Sequence, residues 1–141
     1  NNFAMLVKAG ICVAYDWALL QYSLPPLYAL ADSICLSIDA NQLTWNGNEF
    51  ALEKKKLNAF IKEIDIDNKI FLLEEPFYDP ERPPILNECY QRKRMADVLG
   101  AADWIMQIDC DEIIMDPDAF KSKLKIYKKV KRKEIRKISL K

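Results

Sequence analysis

Four short apolar runs, each followed by an acidic residue, set the tightest limit on how this chain folds. They are Ile11–Tyr15, stopped by Asp16; Ser33–Ile38, stopped by Asp39; Lys69–Leu73, followed by Glu74; and Asp103–Ile108, stopped by Asp109. They alternate little between apolar and polar residues, as strands covered on both faces should. Met5–Val7 joins the first run or precedes it. The intervening stretches are long enough for helical crossovers and too long for tight hairpins. The pattern predicts an α/β fold of three layers, a mostly parallel sheet with helices on its faces.

The helices are read from spacing and punctuation. Ala18–Leu30 is helical in part, with Pro25 and Pro26 expected to start or kink a helix rather than lie inside one. Glu49–Ile64 carries Phe50, Leu57, Phe60, Ile61 and Ile64 at helical intervals. Pro84 opens a helix that runs to Leu99 and stops at Gly100. Ile85, Cys89, Ala96 and Leu99 form its expected inner side, and Gln91, Arg92, Lys93 and Arg94 its polar side. A last helix starts at Pro117 and reaches about Tyr127, with Asp116 and Asp118 as caps. Residues 41–48 form a polar loop in which Asn46-Gly47 marks a turn.

A length of 141 residues suits one domain. Charge divides it unevenly. Residues 1–120 hold 10 Lys and Arg against 20 Asp and Glu, whereas residues 121–141 hold 11 Lys and Arg against Glu134 alone. The expected organisation is therefore an α/β ligand-binding part over 1–120 and a basic helix or tail over 121–141. Such a tail suits a solvated face, or contact with an anionic membrane surface or a partner protein. Nucleic acid is not favoured, because only Tyr127 interrupts the basic run with an aromatic ring.

The chain has no histidine, which removes Ser-His, Cys-His and His-metal chemistry from its own residues. Cys12, Cys35, Cys89 and Cys110 are widely spaced, unlike a zinc site, and Cys12 and Cys35 read as small buried apolar residues. A reducing compartment fits, so the expected location is cytoplasmic, with membrane association through the basic tail. No apolar run approaches the ~20 residues that cross a bilayer, and the first residues do not read as a secretory leader.

In open parallel sheets ligands bind beyond the carboxyl ends of the strands. Asp16, Asp39 and Asp109 stand at such ends, and Asp109-Cys110-Asp111-Glu112 is the richest of them. If the backbone stays extended, Asp109 and Asp111 point the same way. Oxygen ligands at that spacing suit Mn²⁺ or Mg²⁺, with diphosphate oxygens completing the shell.

The segment Ala102-Asp103-Trp104-Ile105-Met106-Gln107-Ile108-Asp109-Cys110-Asp111-Glu112 closely resembles the strand and D-x-D-E segment of family 2-type glycosyltransferases, with Cys110 at the usual Ala position. Upstream, Ile38-Asp39-Ala40-Asn41-Gln42-Leu43-Thr44-Trp45-Asn46-Gly47 resembles their "vDxxSxDgT" loop. The resemblance covers most of residues 10–120 and implies a GT-A fold, here incomplete, that binds a nucleotide-diphosphate sugar. It implies that Asp39 receives the nucleobase, and that Ala14, Tyr15 and Asp16 border the base. Asp109 would lie near ribose and diphosphate, Cys110 would belong to the same nucleotide-sugar-binding set, and Asp111 would hold the metal. Arg92 or Arg94 would approach the donor from the helix before the D-x-D strand. The acceptor is unidentified, a saccharide or a lipid-linked group. The family's general base usually comes from a later segment, and residues after Glu112 contain no good match, so the expected protein is a nucleotide-binding half whose activity alone is in doubt. Two other classes compete. One is a Mg²⁺-dependent phosphoryl-transfer or phosphatase domain using Asp16. The other is a noncatalytic module that docks through its basic tail.

Overall fold

The computed structural model describes residues 4–131. In chain order these form β1 (Val7–Val13), a 3₁₀ turn (Trp17–Leu19), α1 (Leu20–Leu30), β2 (Ser33–Asp39), α2 (Lys54–Ile64), β3 (Ile70–Glu75), α3 (Pro84–Leu99), β4 (Trp104–Asp109) and α4 (Pro117–Lys131). The four strands pair in the order β3-β2-β1-β4, and every pairing is parallel. Each of the four apolar runs thus contributes to one strand, although β1 starts at Val7, four residues before the first run, and ends at Val13, so that Ala14 and Tyr15 fall in the loop after it. The order reverses direction between β1 and β4, because the chain first steps from β1 outward to β3 and then crosses back. This is a small α/β domain of Rossmann-like topology.

Period-two alternation splits the strands between two cores. Val7, Ala9, Ile11 and Val13 of β1 join Ile34, Leu36 and Ile38 of β2 and Ile108 of β4 in the larger core. It is covered by Leu20, Leu24, Leu27 and Leu30 of α1, Leu57 of α2 and Leu124 of α4. The opposite face is thinner. Cys35 lies there under Met95 and Leu99 of α3, with Cys12, Phe71 and Leu73 partly buried beside them. Gly10 lets α3 come close: a Cβ there would meet Met95 Sδ at 3.0 Å. Trp104 packs partly against the larger core, and its indole N–H is buried with no acceptor among the described residues.

Two local expectations give way to tertiary structure. The segment 49–53 is not helical. Glu49 bridges Leu43, Phe50 N–H donates to the Gln42 carbonyl at 3.0 Å, and Leu52 N–H to Gln42 Oε1 at 3.2 Å, so the loop claims these residues and α2 begins at Lys54. On α3 the inward stripe is Asn87, Gln91, Met95 and Leu99, whereas Ile85 is 60% exposed and Cys89 is exposed. The helix is rotated so that two polar residues face inward, for reasons that the site makes plain. The last helix, α4, starts at Pro117 as its sequence predicts and buries Leu124 in the larger core. Asp116 Oδ1 accepts from Ala119 N–H at 3.0 Å, the expected cap. The basic tail beyond residue 131 lies outside the described residues.

Pro25 and Pro26 both lie inside α1, although they were expected to start or kink a helix rather than lie within one. Burial of Leu20, Leu24, Leu27 and Leu30 along one side outweighs the missing N–H groups. A helix-interior proline costs up to about 3 kcal/mol relative to alanine, against the 0.4–1 kcal/mol or so that proline contributes by restricting the unfolded chain. Pro25 is exposed. Pro25→Ala is therefore expected to stabilise the domain by about 1–2 kcal/mol, read as a higher urea midpoint. A lower midpoint would show that the ring itself holds α1 in place.

Candidate functional site

The polar residues of the strands gather on the α3 face. Alternation turns Cys12, Ser37, Asp39, Gln107 and Asp109 toward α3, and their strand positions put Asp39 and Asp109 at the carboxyl rim. A cleft of about 330 Å³ opens there, at the reversal of strand order where such folds bind ligands. It is lined by Cys12 to Asp16 from the end of β1, Asp39, Leu43, Thr44 and Trp45 from the end of β2 and its loop, Glu88, Gln91 and Arg92 from α3, and Asp109 and Asp111. The cleft therefore brings together Ala14, Tyr15, Asp16, Asp39, Arg92, Asp109 and Asp111 of the residues named from sequence.

Asp39 is 4% exposed, and its carboxylate accepts four backbone N–H groups. Oδ2 takes those of Asn41 at 2.9 Å and Leu43 at 3.1 Å; Oδ1 takes those of Phe77 at 2.8 Å and Tyr78 at 3.2 Å. A carboxylate has about four lone-pair positions, so Asp39 is occupied in tying the loop after β2 to the loop after β3. The resemblance assigned it to the base; here its oxygens are committed to the walls of the cleft.

Arg92 bridges two acids. Its Nε donates to Glu88 Oε2 at 3.0 Å and its Nη2 to Asp109 Oδ1 at 3.2 Å, and its guanidinium carbon lies 5.9 Å from the centroid of the Trp45 ring. Arg94 is about 200° round the helix from it and turns elsewhere. It makes a bidentate pair with Glu75 at 2.9 and 3.0 Å, which pulls the Glu75 carboxyl below its usual range, and it does not line the cleft. Cys110 is fully buried and aims its thiol at the Cys12 carbonyl, 3.8 Å away, so it lies beneath the cleft. Burial pushes the Cys12 thiol up to about 11, which keeps it neutral near pH 7 and a poor nucleophile.

The backbone does not stay extended after β4. Glu112 N–H donates to the Asp109 carbonyl at 3.1 Å and Glu112 Oε1 accepts from Asp109 N–H at 2.9 Å, closing a turn. Asp109 and Asp111 still reach the same opening, both exposed. Among the described residues no group of three or more potential ligand side chains is placed to hold a metal ion. Mg²⁺ commonly needs only one or two carboxylates when substrate phosphates and waters supply the rest. Asp111 with Asp109 fits that shared mode and not a cage made by protein alone.

Sequence reasoning missed Gln91, Glu88, Thr44 and Leu43 as cleft residues. The available signal was the Asn87, Gln91, Met95, Leu99 stripe at intervals of four, which is half polar and so drew no attention as an inner face.

The two carboxylates separate in stability. Asp39→Asn sets an amide NH₂ against backbone donors and is expected to cost about 2–4 kcal/mol. Asp111→Asn, on an exposed residue, should change stability by less than about 0.5 kcal/mol. Urea unfolding of both variants checks this; equal effects would mean that the Asp39 bonds do not hold the loops. No family model, no curated protein and no solved structure matches this chain.

Proposed function

We propose that this domain binds a nucleotide-diphosphate sugar with Mn²⁺ or Mg²⁺ and supports transfer of the sugar to an acceptor. The observation that carries the reading is the meeting of Asp109, Asp111, Arg92, Trp45 and Tyr15 around one cleft at the reversal of strand order. The D-x-D-E resemblance supplies the class of ligand.

The residues divide the work by chemistry. Five carboxylates and one guanidinium line the cleft, so an anionic ligand enters only with a cation. Asp111, aided by Asp109, would hold that cation, and the cation would supply charge stabilisation to the nucleotide-diphosphate leaving group. Arg92 stands beside Asp109 and adds a fixed positive group for the same charge. Tyr15 and the backbone at Ala14 border the base, with Asp16 at the mouth. Asp39 serves by holding the loops that wall the cleft. The acceptor and the base that deprotonates it lie beyond what these residues specify.

Calorimetric titration of the 141-residue chain with uridine and guanosine diphosphates, with and without Mn²⁺, tests the reading. Metal-dependent heat is expected for at least one nucleotide, weakened roughly 10- to 100-fold in Asp111→Asn. A folded protein that gives no such heat with either nucleotide would overturn it.

A further inference from the structure

Trp45 is held more firmly than a loop tryptophan needs to be. It occupies the second position of a turn in which Gly47 N–H donates to the Thr44 carbonyl at 2.9 Å and Asn48 N–H to Thr44 Oγ1 at 3.1 Å. Gly47 closes that turn at φ +84°, a left-handed conformation, with its Cα so near Tyr78 that a Cβ would fall 2.6 Å from the ring. Two buried amides of α3 then grip Trp45 at both ends. Gln91 Oε1 accepts the indole N–H at 2.8 Å, and Asn87 Nδ2 donates to the Trp45 carbonyl at 3.0 Å.

These amides occupy helix–sheet positions that apolar side chains could fill. Asn87 is 0% and Gln91 5% exposed, and the same stripe continues with Met95 and Leu99 farther from the cleft. Burying an amide is costly unless every group is paired. Gln91 meets that condition by spanning from sheet to loop: its Nε2 donates to Ser37 Oγ at 2.8 Å and to the Ser37 carbonyl at 3.3 Å, while its Oε1 faces Trp45. Asn87 also joins the Asp79 backbone and Arg82, so of the two amides it is Gln91 whose oxygen is committed to the indole.

That indole stands in the wall between two hollows. It lines the acidic cleft and also a neighbouring one of about 500 Å³, and the 75%-exposed Tyr15 borders both. From Trp45 the order along the cleft is aromatic ring, Arg92 guanidinium, then Asp109. A nucleotide bound with metal presents the matching order of flat base, phosphate and cation.

We infer that Trp45 stacks against the base of the bound nucleotide and that Gln91 is a positioning residue that fixes the indole for it. This rests on the nucleotide-binding reading above. Gln91 touches no ligand; it acts through the indole N–H.

The test compares two probes that share the phosphate and metal end but differ in the base. Uridine diphosphate and inorganic pyrophosphate are each titrated with Mn²⁺ into the full chain and into Trp45→Ala, Trp45→Phe, Gln91→Met and the Trp45→Phe/Gln91→Met pair. Trp45→Ala should weaken the nucleotide roughly 5- to 150-fold and leave pyrophosphate unchanged, which a general loosening of the fold would not do. Gln91→Met should weaken the nucleotide alone. It should add nothing in the Trp45→Phe background, where the N–H is already gone. Trp45 lies in a surface loop, so its variants report even where Gln91→Met fails to fold. Parent protein that binds both probes while Trp45→Ala loses neither overturns this inference and leaves the nucleotide reading standing. Equal loss of both probes in Trp45→Ala also overturns it. Guanosine diphosphate replaces uridine diphosphate if it alone binds the parent, and a parent protein that binds neither nucleotide overturns the nucleotide reading and this inference with it.

Discussion

One buried carboxylate holds the candidate site together. Asp39 ends the second strand, and four backbone N–H groups from two loops converge on its oxygens. An ionised group at this depth would be expensive without such partners. With them it becomes a clamp between the segments after β2 and β3. The loop after β2 carries Thr44 and Trp45 to the cleft. The loop after β3 carries Phe77, which is fully buried, and leads through Arg82, which donates to the Phe77 carbonyl and to Asn87, into α3. The strand end itself thus ties down the walls, and the turn at residues 44–47 adds to it locally.

α3 transmits that order to the other rim. Its Asn87 and Gln91 tie it to both loops and to β2, and one residue beyond Gln91 its Arg92 reaches Asp109 at the end of β4. The cleft is thus spanned by a single helix that touches the loop wall with one side and the acidic turn with the next. This explains why a helix in a small domain keeps amides inward near its N-terminal half and packs Met95 and Leu99 only farther on. Close approach there depends on Gly10, whose missing side chain leaves room for Met95.

Much of the fold was legible because four apolar runs stop at acidic residues, and each run contributes to a strand, although the first strand lies mostly before its run. The rim was legible for the same reason: acids that end runs stand at or just past carboxyl ends in a parallel sheet, so Asp16, Asp39 and Asp109 converge, with Asp111 two residues beyond the last. What was not legible came from side chains whose burial is polar. Apolar spacing made Ile85 and Cys89 look inward, because it reports only hydrophobic burial, and α3 turns amides inward instead. That same rotation decides between Arg92 and Arg94, which local spacing leaves equivalent. Pro25 and Pro26 misled for another reason. Helix propensity is weaker than the burial of four leucines on one side of α1. Residues 49–53 were claimed by Gln42, a partner at loop distance that periodicity does not see.

Charge adds a last constraint. Of the five carboxylates around the cleft, Asp39 is answered by backbone N–H groups, and Glu88 and Asp109 share one guanidinium. Arg92 with its two partners still carries a net negative charge, and Asp16 and Asp111 add to it. The described lysines of α4 belong to a helix packed on α1, across the sheet from α3, and none lines the cleft. At physiological ionic strength their influence fades over about 8 Å. Arg92 therefore cannot by itself make this opening attractive to a diphosphate. On the nucleotide reading, a divalent cation held by Asp111 and Asp109 would supply the missing positive charge, and by engaging Asp109 it would leave the Arg92 guanidinium freer to face the phosphate. Asp109 would then link metal and arginine, and the two would act as a pair.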